Sequence, residues 1–492
     1  MIAEPGGLDA RTSDAVRKLL ELEDDAPDAL RETLPGASVP FWAQVRMRVA
    51  WVLSAQKTGS VDVAPGTWNR GKEARRIARA HLPSRWDAPR RAGRHDVCFY
   101  VAGGTLARDG ATARNWLVDD FASVSDDAVV VQQQPLPSPL GSPWFRPTLS
   151  MDAANARVTM RVRGKRPSEE VLRSIDSLLA EFARQLGEQP DLFTKIAQRA
   201  VRDENHRGPQ LDELRRLIDR VRPRVVVFDN GSYTYHGESV GLFKDAGAYV
   251  AEPQHGWIGP SHAAYNYGLL FREPALRRAL PDELLTFGAF WSDSIRHPGR
   301  VTAIGKPHLE RQAAVAPASR RPQVLVVSSR TDPEQTDALV VELRELLDDA
   351  WSIVFRPHPG ERNEAARRYP RLSAASGVTV DEEPDVYESL KRTTVVVGEA
   401  STVLFEARAF GCDVIPRDSA FAAGVIGDAF GERVQDARQI AERIRAGRGD
   451  ASARMATDDS IWAPHPIQTF AGWLSERLDV DEAPLAGSTE TP

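Results

Sequence analysis

The fold class follows most directly from one segment, Arg224-Val225-Val226-Val227-Phe228-Asp229-Asn230-Gly231. Its valines and Phe228 form an apolar run without alternation, which is typical of a strand covered on both faces. Asp229, Asn230 and Gly231 then form a turn signal, and residues 238–246 show a helical pattern. A buried strand, a turn and a helix in this order predict a βαβ unit and therefore a parallel sheet.

Strand and helix patterns alternate on both sides of this segment. In the first half, further strands are predicted at 97–101, 128–131 and 249–251, and the half is completed by 285–291 and 301–304. In the second half, strands are predicted at 323–327, 351–355, 378–380, 394–397 and 413–415. We therefore predict an α/β protein with two Rossmann-like domains that face a central cleft.

The same pattern sets the domain boundaries. Residues 1–95 are predicted to form a helical N-terminal extension, 96–311 a first domain, 312–322 an Ala-, Pro- and Arg-rich linker, 323–480 a second domain, and 481–492 a disordered tail. Helices at 434–447 and 466–478 are expected to close the second domain.

The composition excludes several classes of protein. A chain of 492 residues is too long for one hydrophobic core, and 42% hydrophobic with 27% charged residues is ordinary for a globular protein. A net charge of −6 gives no general attraction for nucleic acid. Cys98 and Cys412 lie far apart in apolar surroundings, so neither a disulfide framework nor a cysteine-based zinc site is expected.

The first residues, Met1 to Pro5, lack the basic and apolar pattern of a signal peptide, and no apolar run approaches the roughly 20 residues of a membrane span. A cytoplasmic location is therefore expected. Residues 70–94 depart from the overall charge, because they contain nine Lys or Arg against Glu73 and Asp87. This segment is either a solvated helix face with a loop, or a patch that contacts the inner membrane face or an anionic polymer.

Polar residues gather directly after strands of the second half: Ser328, Ser329, Arg330, Arg356, His358, Glu399, Ser401 and Thr402. In a parallel sheet, ligands bind beyond the carboxyl ends of strands, where loop amides and helix N-termini converge. Arg356 offers a planar fork for phosphate, and two prolines hold His358 where it can donate to a leaving phosphate. Glu399 suits ribose hydroxyls, while Ser401 is either a plain helix cap or part of a phosphate site.

The first half carries two candidates for a general base. His255 lies in the loop Gln254-His255-Gly256 after a strand, and histidine has a pKa suited to accepting a proton from an acceptor hydroxyl. Asp229 is the alternative base, although a turn with Gly231 also explains an aspartate there. Neighbouring polar and aromatic residues are expected to line the acceptor side of the site: Gln254, Tyr233, His236, His262 and Tyr265.

Several common catalytic motifs are missing from the sequence. It contains no HExxH, no cysteine cluster and no Walker A pattern. Metal-dependent hydrolysis and P-loop phosphoryl transfer are therefore disfavoured, and no cofactor is expected.

The order of three motifs resembles bacterial glycan-assembly transferases of the GT-B architecture. The motifs are Gln254-His255-Gly256, Arg356-Pro357-His358-Pro359, and Glu399-Ala400-Ser401-Thr402 with Glu406 downstream. Over residues 220–420 the chain is most similar to the polyol-phosphate polymerases of teichoic acid synthesis and to capsule or sialic acid transferases.

The resemblance implies roles for individual residues. In the polymerases a His-Gly loop supplies the base, which implies His255, and a His-Pro pair and a Ser/Thr pair hold the phosphates of a cytidine nucleotide. The pairs correspond here to His358-Pro359 and Ser401-Thr402. In the sialyltransferases the base lies in an acidic motif ending in glycine, which Asp229-Asn230-Gly231 matches in part, with Asn230 as the departure. The choice between the two bases stays open, with His255 preferred.

The function implied by the resemblance is a metal-independent transfer of a sugar or polyol-phosphate unit. The donor would be nucleotide-activated, CMP- or CDP-linked in the first place and UDP- or GDP-linked as alternatives, and the acceptor a cell-surface glycan or a lipid-linked glycan. Two other functions suit the same architecture: a sugar-nucleotide epimerase, which needs no acceptor, and a non-catalytic nucleotide-binding partner in a polysaccharide assembly complex.

Overall fold

The computed structural model describes residues 11–58, 86–109, 112–133, 144–315, 320, 322–330, 332–447 and 459–479. The strands are β1 Val97–Val101, β2 Leu106–Asp109, β3 Thr112–Asn115, β4 Ala128–Gln132, β5 Thr148–Ser150, β6 Val225–Phe228, β7 Tyr249–Pro253, β8 Glu283–Thr286, β9 Arg300–Ala303, β10 Gln323–Val327, β11 Ser352–Arg356, β12 Val378–Val380, β13 Val395–Gly398 and β14 Asp413–Pro416.

Helices precede, connect and follow these strands. They are α1 Asp14–Asp25, α2 Phe41–Thr58, α3 Ala88–Arg91, α4 Asp119–Ala122, α5 Asp152–Val162, α6 Glu169–Gln185, α7 Thr194–Val221, α8 Gly237–Asp245, α9 Pro274–Arg277, α10 Pro307–Ala313, α11 Pro333–Leu346, α12 Ala365–Arg368, α13 Pro370–Ala374, α14 Val386–Arg392, α15 Thr402–Ala409, α16 Ala420–Val425, α17 Ala437–Ala446 and α18 Pro466–Asp479. None of the helices in the described part of the chain is long and apolar enough to cross a membrane.

The first sheet joins seven parallel strands in the order β5-β4-β1-β6-β7-β8-β9. The strand predicted from the valine run, β6, lies in the middle of this sheet and is buried along its whole length. Val226 and Phe228 pack in the apolar cluster on one face, whereas Val225 and Val227 pack in the cluster on the other. The unbroken apolar run therefore reflects helices on both faces of the sheet.

The second sheet joins five parallel strands in the order β12-β11-β10-β13-β14. Apolar residues of α11 and α17, among them Leu343 and Ile440, pack against one face, while Leu404 and Phe405 of α15 belong to the cluster that includes Leu325 on the other. The predicted fold class, two Rossmann-like α/β domains with a helical N-terminal extension, is confirmed.

The N-terminal extension is tied firmly to the first domain. Glu23 of α1 and Arg46 of α2 form an ion pair with an Nε–Oε1 distance of 2.5 Å, and both side chains are fully buried. Arg46 also donates hydrogen bonds to the carbonyls of Ala263 and Asn266, at 2.5 and 2.6 Å. Because a buried charge needs such partners, this network holds α1 and α2 in one orientation on the first domain.

The last helix changes the predicted domain boundary. Phe470 and Trp473 of α18 pack under the first sheet, and the ring of Phe470 lies 4.5 Å from that of Phe121. The segment before α18 is bound to the first domain as well, because the amide of Ala463 donates a hydrogen bond of 2.7 Å to the carbonyl of Phe287. We therefore assign α18 to the first domain, whereas the sequence pattern placed residues 466–478 at the end of the second.

Some short elements were not predicted. The β2–β3 hairpin, the edge strand β5 and helix α5 lack the long apolar runs by which the other elements were found. Helix α10 extends to Ala313, so it continues two residues into the predicted linker. Residues 70–85 of the basic segment and the predicted tail at 481–492 lie outside the described residues.

Aromatic side chains fill the contact between the two domains. Trp291 of the first domain is fully buried, and its ring lies 4.9 Å from that of Phe405 on α15. Its indole Nε1 donates to the carbonyl of Ile461, on the segment that returns to the first domain, at 2.8 Å. This contact fixes how the carboxyl ends of the two sheets are placed relative to each other.

Candidate active site

Asp229 and His255 meet at the carboxyl edge of the first sheet. Asp229 follows β6, and His255 comes two residues after β7. Nδ1 of His255 lies 3.8 Å from Oδ1 of Asp229, and Oδ2 of Asp229 accepts a hydrogen bond of 3.0 Å from the amide of Ala102. The Asp229 side chain is 1% exposed and the His255 side chain 23% exposed, so the imidazole is the more accessible partner.

Burial and mutual attraction set the charge states of this pair. Burial raises the pKa of Asp229, and His255 opposes that shift. Burial lowers the pKa of His255, and Asp229 opposes that shift in turn. An imidazole with a lowered pKa is neutral at neutral pH and can accept a proton, after which the carboxylate stabilises the resulting cation.

Gln254 faces the protein interior. Its Oε1 accepts a hydrogen bond of 2.7 Å from the amide of Phe287, and its Nε2 donates to the carbonyl of Gly256 at 2.8 Å. The residue is 1% exposed. The prediction that Gln254 lines the acceptor side is therefore wrong for its side chain, which instead holds the loop that carries His255.

Three of the predicted acceptor-side residues, Tyr233, His262 and Tyr265, form a cluster of rings that contacts His255 through Tyr233. The Tyr233 hydroxyl lies 3.2 Å from Nε2 of His262, and the Tyr233 ring lies 5.9 Å from that of His255. The rings of His262 and Tyr265 are 4.7 Å apart. Burial lowers the pKa of His262 to about 3, so this imidazole is neutral. His236 lies elsewhere, next to Tyr235 with a ring distance of 4.5 Å.

Glu252 is a buried acid that the sequence interpretation missed. Its Oε2 accepts a hydrogen bond of 2.5 Å from the amide of Ser232, and its Oε1 accepts one of 3.2 Å from the Tyr265 hydroxyl. Burial raises the pKa of Glu252 to about 8. The signal that could have revealed it is an acidic residue inside the apolar strand β7, because such a residue requires a special environment.

The three polar loops of the second domain come together at the carboxyl edge of its sheet. Oγ of Ser328, after β10, donates a hydrogen bond of 2.7 Å to Oε2 of Glu361, in the loop after β11. Oγ of Ser329 accepts one of 3.3 Å from the amide of Ala400, in the loop after β13. Ser401 caps α15, since its Oγ accepts from the amide of Val403 at 3.2 Å.

His358 and Arg330 are exposed beside these loops. Nδ1 of His358 accepts a hydrogen bond of 3.1 Å from the amide of Gly360, which leaves Nε2 as the protonated nitrogen of the neutral ring. Burial lowers the pKa of His358, the nearby cations of Arg330 and Arg362 lower it further, and the carboxylate of Glu361 opposes the shift. Two guanidinium groups therefore lie near His358 against one carboxylate, a balance that favours an anion.

Arg356 and Glu399 are engaged inside the second domain. The Arg356 guanidinium is buried and donates to Oδ2 of Asp381 at 2.5 Å and to Oγ of Ser389 at 3.3 Å. Glu399 is buried in an ion pair of 2.8 Å with Arg417. The Arg356 guanidinium, which was predicted to bind phosphate, is therefore already bound to the carboxylate of Asp381. It stabilises the loop that bears His358 and is not presented to a ligand.

One helix connects the loops of the two domains. Nε1 of Trp257, two residues after His255, donates to the carbonyl of Val425 at the end of α16, at 3.1 Å. Helix α16 begins at its N-cap Ser419, whose hydroxyl lies 3.4 Å from Oε2 of Glu399. Helix α16 therefore contacts both the His255 loop of the first domain and the loop that precedes α15 in the second.

Within the part of the chain that the structure describes, no group of three or more His, Cys, Asp or Glu side chains is arranged to hold a metal ion. The site chemistry described above relies on imidazole, carboxylate, guanidinium and hydroxyl groups of the chain.

No protein-family model and no curated protein sequence matches the chain. Solved structures with a similar fold include the UDP-GlcNAc 2-epimerase of Neisseria meningitidis, with 12% identity, a TM-score of 0.40 and coverage of 78% of this chain and 99% of that one. The UDP-GlcNAc 2-epimerase of Methanocaldococcus jannaschii shows 10% identity, a TM-score of 0.43 and coverage of 78% and 99%. The wall teichoic acid polymerase TagF shows 10% identity, a TM-score of 0.42 and coverage of 83% and 94%. Similarity at this level concerns the fold alone, so the function has to be inferred from the chain's own residues.

Proposed function

We propose that this protein transfers a sugar or polyol-phosphate unit from a nucleotide-activated donor to a hydroxyl of a glycan acceptor. The donor is CMP- or CDP-linked, His255 is the general base, and the reaction needs no metal. The observation that carries the proposal is the pairing of an accessible, neutral imidazole with a buried carboxylate 3.8 Å away. This pairing favours His255 over Asp229 as the general base, because only His255 has an appreciably exposed side chain.

The transfer step follows from this arrangement. Nε2 of His255 takes the proton of the acceptor hydroxyl while the acceptor oxygen forms a bond to the donor's carbon or phosphorus atom. The bond to the leaving nucleotide phosphate breaks, and its electron pair moves onto the phosphate oxygen. The positive charge gained by His255 is stabilised by Asp229, since a carboxylate beside a newly formed imidazolium lowers its energy.

The second domain would hold the leaving phosphate. Helix α15 offers backbone amides at its N-terminus, together with the hydroxyl of Thr402, and such a terminus favours an anion. Arg330 adds a positive charge, and Nε2 of His358 can donate a hydrogen bond to the phosphate oxygen. Ser328 and Ser329 act indirectly, because their hydroxyls hold the neighbouring loops together.

A nucleotide panel tests the donor side. We expect CMP or CDP to raise the melting temperature of the full chain, because a ligand that binds only the folded form stabilises it. The same panel includes UDP and GDP. Stabilisation by a uridine or guanosine nucleotide alone would show that the donor assignment is wrong.

A second assay separates transfer from the other two functions. The full chain is incubated with the nucleotide-linked donor, with and without an acceptor glycan, and the nucleotide and sugar products are identified. Transfer requires nucleotide release that depends on the acceptor. Conversion of the sugar nucleotide without acceptor would identify an epimerase. An unchanged turnover in His255→Ala would show that His255 is not the general base. Nucleotide binding without any turnover would point to a non-catalytic partner.

A further inference from the structure

A polar cavity of about 610 Å³ lies between the N-terminal extension and the first domain. Its walls come from α2, from α7 and from the carboxyl ends of β1 and β4. A volume of this size is typical of pockets that bind small molecules. The cavity is connected with the candidate active site through two rings: Tyr235 lines it, and Tyr233 lies 5.9 Å from both Tyr235 and His255.

Tyr100 presents a hydroxyl to this cavity. The residue is 8% exposed, and its ring is held by Phe228 at 5.0 Å and by Phe243 at 5.6 Å. None of the described residues forms a hydrogen bond with its hydroxyl, which faces the open space of the cavity and does not belong to the buried polar atoms that lack a partner. A polar ligand atom in the cavity can therefore form a hydrogen bond with this hydroxyl.

His236 adds a second neutral polar group. It lines the same cavity, and burial together with the nearby Arg48 lowers its pKa to about 4. A neutral imidazole has one nitrogen that donates and one that accepts a hydrogen bond. A ligand hydroxyl also donates one hydrogen bond and accepts another, so His236 and Tyr100 can both form hydrogen bonds with the hydroxyls of a polyol.

The arginines that line the cavity are already paired with carboxylates. Arg48 and Arg199 both bind Asp203, at 2.5 and 2.8 Å. Arg207 lies 2.7 Å from Glu204 and 3.6 Å from Glu238. Since these lining arginines face carboxylates, the cavity has no surplus positive charge with which to attract a phosphate chain.

Two further aromatic residues, Phe41 on α2 and Tyr235, line the cavity. The ring of Trp51, also on α2, lies 6.3 Å from that of Tyr235 but does not line the cavity. Trp51 is 38% exposed, which is unusual for so large an apolar side chain. Aromatic faces beside hydroxyl, imidazole and carboxylate groups suit a sugar, whose C–H faces are apolar and whose edges carry hydroxyls.

We infer that this cavity is a binding subsite for an uncharged, hydroxyl-rich unit, a sugar or a polyol, of the acceptor chain. The unit lies away from the reacting hydroxyl, beyond Tyr233 and Tyr235 as seen from His255. The assignment to the acceptor rests on the proposed function, whereas the chemical class of the ligand rests on the cavity itself. The inference also gives the N-terminal extension a role, because Phe41, Gln44 and Arg48 of α2 line the cavity.

The test is a titration of the full chain with neutral and anionic probes. Glycerol, ribitol, N-acetylglucosamine and maltotriose are the neutral probes, glycerol 1-phosphate is the anionic one, and binding is followed by calorimetry and by saturation-transfer NMR. We expect at least one neutral probe to bind, and Tyr100→Phe to weaken its binding about tenfold, because the hydrogen bond between the Tyr100 hydroxyl and the probe is lost.

Matched controls keep the test independent of folding. Tyr100→Phe removes one oxygen and retains the packed ring, and Tyr249→Phe makes the same change at the first residue of β7, where the hydroxyl bonds to Glu283. Tyr249→Phe is expected to bind the neutral probe like the unmodified chain. Binding of glycerol 1-phosphate alone, binding of none of the neutral probes, or equal binding by Tyr100→Phe and the unmodified chain would each overturn the inference.

The nucleotide titration of the same protein separates this inference from the proposed function. If nucleotides bind while neutral probes do not, the subsite is refuted and the transfer reaction still stands. If neutral probes bind through Tyr100 while no nucleotide binds, the subsite is supported and the transfer reaction fails.

Discussion

Nζ of Lys306 in the first domain lies 2.6 Å from Oε1 of Glu406 in the second, and both side chains are at most 7% exposed. Four aromatic rings surround the ammonium group at 4.8 to 5.9 Å: those of Trp116, Phe287, Tyr387 and Trp462. Ring faces attract a cation, and a carboxylate neutralises it, so this pair is stabilised from both domains at once. The contact links the end of β9 directly to helix α15, whose N-terminus lies in the candidate active site.

Removing one partner of this pair should destabilise the chain. Lys306→Met leaves the carboxylate of Glu406 buried without its cation, which costs about 3–5 kcal/mol. The double variant with Glu406→Leu carries no buried charge and should recover most of that loss. Urea unfolding of the two variants, followed by tryptophan fluorescence, measures the effect. Equal instability of the single and double variants would contradict it.

The Asp229–His255 pair should control the pH dependence of transfer. Transfer needs neutral His255, and its pKa is lowered by burial, so activity should persist as the pH falls below the usual histidine pKa of about 6.5. Asp229 raises the pKa of His255, so Asp229→Asn should lower that pKa further and move the acid limb of kcat/KM to lower pH.

Removal of the His255 imidazole should cause a large loss of transfer activity. His255→Ala should reduce kcat by about 100- to 10,000-fold, the usual contribution of a general base. His95→Ala, at the entry to β1 and away from the site, is the control and should retain full activity. An acid limb that does not move in Asp229→Asn would disprove the coupling.

Glu252 should make the protein less stable as the pH rises. Its pKa is about 8 in the folded chain against 4.5 for an exposed glutamate, so the folded state binds the extra proton between these values. Stability is therefore greatest below pH 4.5 as far as this group is concerned, and it is lost as the pH rises towards 8. Between pH 5 and pH 8, Glu252→Gln should make the fall in the free energy of unfolding smaller by roughly 3 kcal/mol. The remaining pH dependence of stability would come from other groups, Asp229 among them. Urea midpoints at pH 5 and pH 8 measure the difference, and an unchanged decline in the variant would refute it.

Arg356 and Arg330 should differ in what they support. Arg356→Ala leaves Asp381 buried without its partner and should lower the free energy of unfolding by about 3–5 kcal/mol. Arg330→Ala removes an exposed charge, so stability should change by less than about 0.5 kcal/mol, while nucleotide affinity falls about tenfold. Chemical unfolding and nucleotide titration of both variants test the contrast. A stable Arg356→Ala variant that has lost nucleotide binding would reverse the assignment.

Local patterns explain how far the sequence predicted the fold. The valine run in β6 is visible in the sequence because each of its residues has to be buried, whichever face it occupies. The strand ends follow from the same runs, which is why the positions of Asp229, His255 and Ser401 at the carboxyl edges were predictable. The order of the strands in each sheet has no such local signal.

The sequence did not predict which side chains form hydrogen bonds or ion pairs with each other in the candidate site. Arg356 has the residue type and position of a phosphate ligand, but its direction depends on Asp381, which lies after another strand. Gln254 similarly turns inward because the amide of Phe287, directly after the next strand of the sheet, requires an acceptor. Pairs such as Lys306 and Glu406 are 100 residues apart, and a single sequence gives no sign that they meet.

The return of α18 to the first domain has a mechanical consequence. The backbone crosses to the second domain after Ala313 and crosses back before Ile461, which is held against Trp291. The second domain is thus an insertion with both of its ends anchored to the first. If the aromatic contact between the domains opened, the second domain would be restricted to rotation about the line through these two crossings, and cutting the chain at one of them would leave the fragments associated.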